Sequence, residues 1–124
     1  MQIQTGIDII EVKRIREAIE KQGEAFLKKV YTEKEIAYCS NTGKMQYQHY
    51  AARFAAKEAI YKAISSKLPE GTGDIWTKIE VENDEKHKPV VNLDKLNLPP
   101  IESMDLSLSH IEEYAVASFT IIFS

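Results

Sequence analysis

Residues 54–62 read Phe54-Ala55-Ala56-Lys57-Glu58-Ala59-Ile60-Tyr61-Lys62. On a helix, Glu58 and Lys62 are four residues apart and project from one face. A carboxylate beside an ammonium can hold a divalent cation and an anionic oxygen together, which is the equipment for chemistry on a phosphate ester or a pyrophosphate. The same spacing also describes an ordinary exposed helix pair, worth about 0.2–0.5 kcal/mol. A second carboxylate on another element decides between the two readings, and Asp8 supplies it. Magnesium commonly takes one or two carboxylates and fills its remaining shell with water and phosphate oxygens, so Asp8 and Glu58 are the candidate metal ligands. Zinc would call for His or Cys, which are not clustered in this chain. Lys57 and Lys62 flank Glu58, and Arg53 lies one turn earlier; together they offer positive charge to a diphosphate. His110 closes the segment Leu106-Ser107-Leu108-Ser109-His110, either as a satisfied structural histidine or as a site residue. Gly71-Thr72-Gly73 alone does not amount to a nucleotide-cradling loop.

Positioning these side chains requires an α+β domain, and the pattern along the chain supplies one. Ile3, Thr5, Ile7 and Ile9 alternate with Gln2, Gln4, Gly6 and Asp8, which predicts a strand with the isoleucines as its buried face and Asp8 opposite them near its end. Gly6 within that strand marks a close backbone approach. Val12, Ile15 and Ile19 recur at helical spacing, and Gly23 ends that helix. A short helix follows over 24–30. Thr32-Glu33-Lys34-Glu35 has the form of a capping box opening a helix to about Ser40. The long central helix spans 45–65, with a stripe of Ala52, Ala55, Ala56, Ala59, Ile60 and Ala63 that lets a neighbour approach closely. After the loop 67–73 the period changes to two. Strands are predicted over 75–82, 90–93, 104–110 and 114–123, the last two joined by a tight connection. The expected architecture is one domain, residues 1–124, with a small antiparallel sheet packed by helices.

Composition narrows the function. The 124 residues carry a net charge of −3, with a sequence pI near 5.6. Bulk attraction to nucleic acid or to an anionic membrane is therefore not expected, and an anionic substrate must be met by a local basic cluster. The single cysteine, Cys39, excludes an internal disulfide and a cysteine-based zinc site, and it reads as a buried structural thiol in a reducing compartment. There is no apolar run of about 18 residues and no basic segment leading into one, so neither a membrane span nor a signal peptide is predicted, and the cytoplasm is the expected location.

Gly6-Ile7-Asp8, followed some way on by Phe54-x-x-Lys57-Glu58-Ala59-x-x-Lys62, resembles the signature of the phosphopantetheinyl transferases. The short length, the segment Phe26 to Cys39 and the ending Leu-Ser-Leu-Ser-His resemble the small, single-domain bacterial branch, the holo-acyl-carrier-protein synthases. The resemblance covers nearly the whole chain. It implies the 4′-phosphopantetheinyl transferase fold and transfer of the 4′-phosphopantetheine arm of coenzyme A to a serine of apo-acyl-carrier protein, with release of adenosine 3′,5′-bisphosphate. It further implies magnesium on Asp8 and Glu58, and a homotrimer with sites between neighbouring subunits. Lys62 matches the family lysine at the pyrophosphate. Glu58 or a metal-bound water would take the serine proton, Arg53 and Lys57 would hold coenzyme A phosphates, and His110 matches a strand-end histidine near the ligand. Arg14, with Lys13 or Arg16, matches the basic first helix that receives an acidic carrier protein. Two segments depart from the pattern. Ile64-Ser65-Ser66-Lys67 stands where the family usually has Gly-Thr-Gly, and His87-Lys88 precedes Pro89 where it usually has Gly-Lys.

Overall fold

A computed structural model describes residues 1–124 in the order β1 (Gln2–Glu11), α1 (Val12–Gln22), α2 (Glu24–Val30), α3 (Glu33–Ser40), α4 (Gln46–Ile64), β2 (Glu80–Asn83), β3 (Pro89–Asn92), β4 (Ile101–His110) and β5 (Tyr114–Phe123). The α+β architecture and the long central helix form as expected, but the strands divide between two sheets. One is three-stranded in the order β1-β5-β4, antiparallel throughout; the other is the separate hairpin β2-β3. The capping box forms as predicted: Glu35 N–H donates to Thr32 Oγ1 at 3.3 Å and Thr32 N–H donates to Glu35 Oε1 at 2.8 Å. No helix is long and apolar enough to cross a membrane.

Helix α4 lies on the inner face of the three-stranded sheet. Its Ala55, Ala56, Ala59 and Ala63 are buried among Leu106, Ala117, Phe119 and Ile121. Towards its N-terminus, Tyr50, Ala51 and Ala52 pack with Val12 and Ile15 of α1 and with Tyr31, Cys39 and Ala115. The small residues explain both contacts, because side chains one carbon long let other backbones come close. Cys39 is fully buried, and burial pushes its thiol up to about 12.

Two expectations are corrected. The isoleucine face of β1 is not the buried one: Ile3, Ile7 and Ile9 are 62%, 64% and 64% exposed. The covered face carries Gly6, Asp8 and Ile10. The reason is Gly6, where an added Cβ would sit 1.8 Å from the Ala59 carbonyl oxygen, so only a bare backbone admits α4. Alternation defines two faces but leaves open which one a helix will cover. Register places Ile3 opposite Ile122 and Ile9 opposite Val116, extending the uncovered apolar face onto β5. The predicted strand over 75–82 is the second correction. Trp76–Lys78 form a 3₁₀ turn and β2 begins only at Glu80. Asp74 stabilises the turn by accepting from Trp76 N–H at 3.0 Å, while Ile75, Ile79 and Val81 are nonetheless buried.

The β2-β3 hairpin turn is organised by Asp84, whose carboxylate accepts from the N–H groups of Lys86 and Lys88 at 2.8 and 2.9 Å. His87 in that turn has φ 64°, the left-handed region that favours glycine. This is one of the two places where the chain departs from the family pattern, and the backbone keeps a glycine-like conformation despite the side chain.

Candidate active site

The Gly6–Ala59 contact sets β1 against α4 so that Asp8 arrives beside Lys62. Lys62 Nζ donates to Asp8 Oδ1 at 3.2 Å and to the Ile7 carbonyl at 2.9 Å. Asp8 is 17% exposed and Lys62 52% exposed, so the ammonium still faces solvent. Glu58 stands one turn before Lys62 on α4. Burial, and then the negative charge of Asp8, push the Glu58 carboxyl above the usual carboxylate range, against the pull of Lys62. The three side chains that the sequence predicted to act together are therefore brought together.

Two neighbouring carboxylates form a hard, electron-rich donor set, and the charge of Asp8 that raises the proton affinity of Glu58 is one that a divalent cation offsets. No third Asp, Glu, His or Cys joins them. That count suits magnesium, whose remaining ligands are ordinarily water and phosphate oxygens. The residues present fit the ion.

Glu58 also borders two cavities. One, of about 530 Å³, is lined by Asp8, Glu11, Arg14, Phe54 and Tyr114. The other, of about 300 Å³, is lined by Tyr61, Gly73, Asp74, Trp76 and Ile79. Phe54 and Trp76 stack at 5.1 Å between ring centroids, with 23° between their planes, and one ring of this pair lines each cavity. Arg14 of α1 is exposed, and its Nε lies 3.4 Å from Glu11 Oε1. It thus shares a cavity with Asp8 and Glu58.

Other predicted site residues go elsewhere. Lys57 was expected to hold a phosphate of coenzyme A; instead its ammonium is fully buried, 2.7 Å from Glu35 Oε1, and donates to the carbonyls of Trp76 and Ile79. Burial pulls its pKa down, and Glu35 opposes that pull. Its positive charge is already paired, and nothing of the side chain reaches solvent. Arg53, one turn earlier on the same face, donates from Nη2 to Asn83 Oδ1 at 3.1 Å and lies 4.3 Å over the Tyr38 ring. Its Nε is buried with no partner. It borders a separate crevice with Lys34, Asn83 and His87. The Nδ1 of His110 is 2.8 Å from Gln48 Oε1, and the ring meets His49 edge-on at 5.2 Å. On the sheet, His110 is level with Ala115 and through it with Ile10, so β5 lies between His110 and β1. Within one chain, neither Arg53 nor His110 stands with Asp8.

Sequence reading missed Glu35 as the partner of Lys57 and Trp76 as the partner of Phe54. Glu35 was legible only as a cap, and Trp76 lay in a segment read as strand. The first contact depends on how α3 meets α4 and the second on how the turn at 76–78 meets α4, and neither has a local signal.

The 4′-phosphopantetheinyl transferase superfamily model matches residues 4–118. The holo-[acyl-carrier-protein] synthase of Chloroherpeton thalassium is 43% identical over 117 residues, covering 93% of each chain. Among solved structures, a holo-(acyl-carrier-protein) synthase from Bacillus anthracis in complex with CoA (3′,5′-ADP) superposes with TM-score 0.77 at 33% identity, covering 98% of this chain and 96% of that one. The ACPS–CoA complex of Chronobacterium ammoniagenes superposes with TM-score 0.84 at 26% identity, covering 100% and 99%.

Proposed function

The chain belongs to the 4′-phosphopantetheinyl transferase superfamily, in its holo-[acyl-carrier-protein] synthase branch, and from that premise we propose how its residues share the reaction. The enzyme moves the 4′-phosphopantetheine arm of coenzyme A to a serine of apo-acyl-carrier protein. The bond from serine Oγ to the pantetheine-bearing phosphorus forms. The bond from that phosphorus to the bridging pyrophosphate oxygen breaks, and adenosine 3′,5′-bisphosphate leaves.

Asp8 and Glu58 would hold magnesium, which when bound supplies positive charge to the pyrophosphate oxygens. Lys62 meets the same oxygens and stabilises or protonates the departing phosphate. Glu58, which borders the cavity lined by Arg14, is the carboxylate placed to accept the serine proton. The observation that carries this reading is the contact of Lys62 with Asp8 across α4 and β1, with Glu58 one turn away.

The carrier protein approaches through the larger cavity, guided by Arg14 and its neighbours Lys13 and Arg16 on α1. Attraction between exposed charges of opposite sign mainly steers encounter. The uncovered face bearing Ile3, Ile7, Ile9 and Ile122 supports assembly of copies, and we infer a homotrimer with each site between neighbours. Arg53, through the crevice it borders with Lys34 and His87, and His110 then contact coenzyme A across that boundary. Residues 1–124 work as one domain, since α4 contributes to both buried clusters. Supply of holo-carrier protein to fatty acid biosynthesis in the cytoplasm follows from this reading, and an unpaired buried thiol agrees with a reducing compartment. Mass spectrometry of apo-carrier protein incubated with the enzyme, coenzyme A and magnesium tests the function. A gain of one phosphopantetheine per carrier is expected, and an unchanged carrier mass would overturn it.

A further inference from the structure

Lys57 and Glu35 form an ion pair with no exposed side-chain surface, at 2.7 Å. The Lys57 ammonium also donates to the carbonyls of Trp76 and Ile79, each at 2.6 Å. Glu35 accepts from Thr32 N–H at 2.8 Å through Oε1 and from Val81 N–H at 2.7 Å through Oε2. The start of α3, the middle of α4, the turn at 76–78 and strand β2 thus converge on one pair of charges. Removing two charges from water costs so much that an apolar pair of similar volume often stabilises a fold equally well. What the charges add here is location: carbonyls on both sides of a 3₁₀ turn are fixed to one point on α4.

That point adjoins Glu58. The held segment, Trp76 to Ile79, walls the smaller cavity that Glu58 borders, and Trp76 stacks on Phe54 one turn before Glu58. Arg14 lines the other cavity that Glu58 borders.

We propose that Lys57 and Glu35 are positioning residues for coenzyme A, their buried pair fixing the Trp76–Ile79 wall beside Glu58 and so the seat of the coenzyme A arm in that cavity rather than in the one lined by Arg14. The proposal rests on the reading that the carrier protein enters from the Arg14 side. Neither residue touches the reacting atoms.

Trp76 is the only tryptophan and reports directly on the wall. Lys57→Met alone strands a buried carboxylate and is expected to lose stability for that reason. The decisive variant is Glu35→Gln/Lys57→Met, which removes both charges at similar volume. It should fold by circular dichroism, expose Trp76 to acrylamide quenching, and raise KM for coenzyme A about tenfold while KM for apo-carrier protein stays within about twofold. If the double variant does not fold, Glu35→Asp carries the same test, since it keeps both charges and shortens the acid by one carbon. Wild-type quenching with wild-type KM for coenzyme A in the folded variant would overturn the proposal, and so would equal losses for both substrates. If the wild-type chain transfers nothing, the functional reading fails, and Trp76 quenching still decides whether the pair holds the wall.

Discussion

Lys57 and Glu58 are adjacent in sequence and belong to opposite parts of the molecule. Successive residues on a helix differ by about 100° in direction. One step therefore separates a buried face, where Lys57 is matched by Glu35, from an accessible one, where Glu58 stands with Asp8 and Lys62. On the buried face Lys57 and Glu35 already neutralise each other. On the accessible face two carboxylates and one ammonium leave the acids in excess, and Glu58 holds its proton more tightly than usual. A motif rich in charges is thus divided by helix phase into a part that holds structure and a part that meets substrate.

The contrast breaks most severely at Asp8. Asp8→Ala removes one of the two carboxylates proposed to hold magnesium and the partner of Lys62, and turnover should fall by about 10³-fold with the fold intact. Steady-state transfer rates and circular dichroism check both halves of that statement. Lys62→Ala follows, with an expected loss of about 10²-fold in kcat. Lys62→Arg should recover only part of it, because a planar fork replaces a point charge. Unchanged turnover in the alanine variant would make Lys62 a surface residue.

Gly6→Ala attacks the joint between β1 and α4. A methyl group 1.8 Å from the Ala59 carbonyl oxygen forces the helix away, at a cost of about 3 kcal/mol. Denaturant unfolding should show that loss, and activity should fall with it because Asp8 moves relative to Glu58.

The outer sheet face gives the next test. Ile7→Asp puts a charge in the middle of the exposed isoleucines without touching α4. Light scattering should show the wild type near three times 14.1 kDa and the variant smaller. A wild type that is active as a stable monomer would remove the trimer and the shared site together.

These same residues mark what the sequence could and could not convey. The elements were legible because their signals are local: the Thr32 cap, the alanine stripe of α4, and the alternation along β1, β4 and β5. Asp8, Glu58 and Lys62 were legible because spacing on a regular element fixes direction. The glycine at position 6 announced a close approach, and Ala59 supplied it. The isoleucine face misled because alternation is symmetrical between a face covered by a helix and one left open. Lys57 misled because charge count near a motif says nothing of which charges meet partners from distant segments. Glu35 lies 22 positions before Lys57, and their pairing depends on the whole path of α3 and α4.

Glu58→Gln separates the charge of Glu58 from its shape, because it changes one charge and almost no volume. A carboxyl whose pKa is raised by the fold makes its ionised form a burden: the penalty is absent below the ordinary glutamate range and complete once pH exceeds the raised value. The metal-free variant should therefore melt above the wild type at neutral pH and alongside it in acid, and magnesium should raise Tm for the wild type only. The measurement to make is the mass of apo-carrier protein after incubation with coenzyme A, magnesium and this variant. If Glu58 takes part in the transfer, the variant folds and leaves the carrier mass unchanged; carrier fully converted at the wild-type rate would show that Glu58 takes no part.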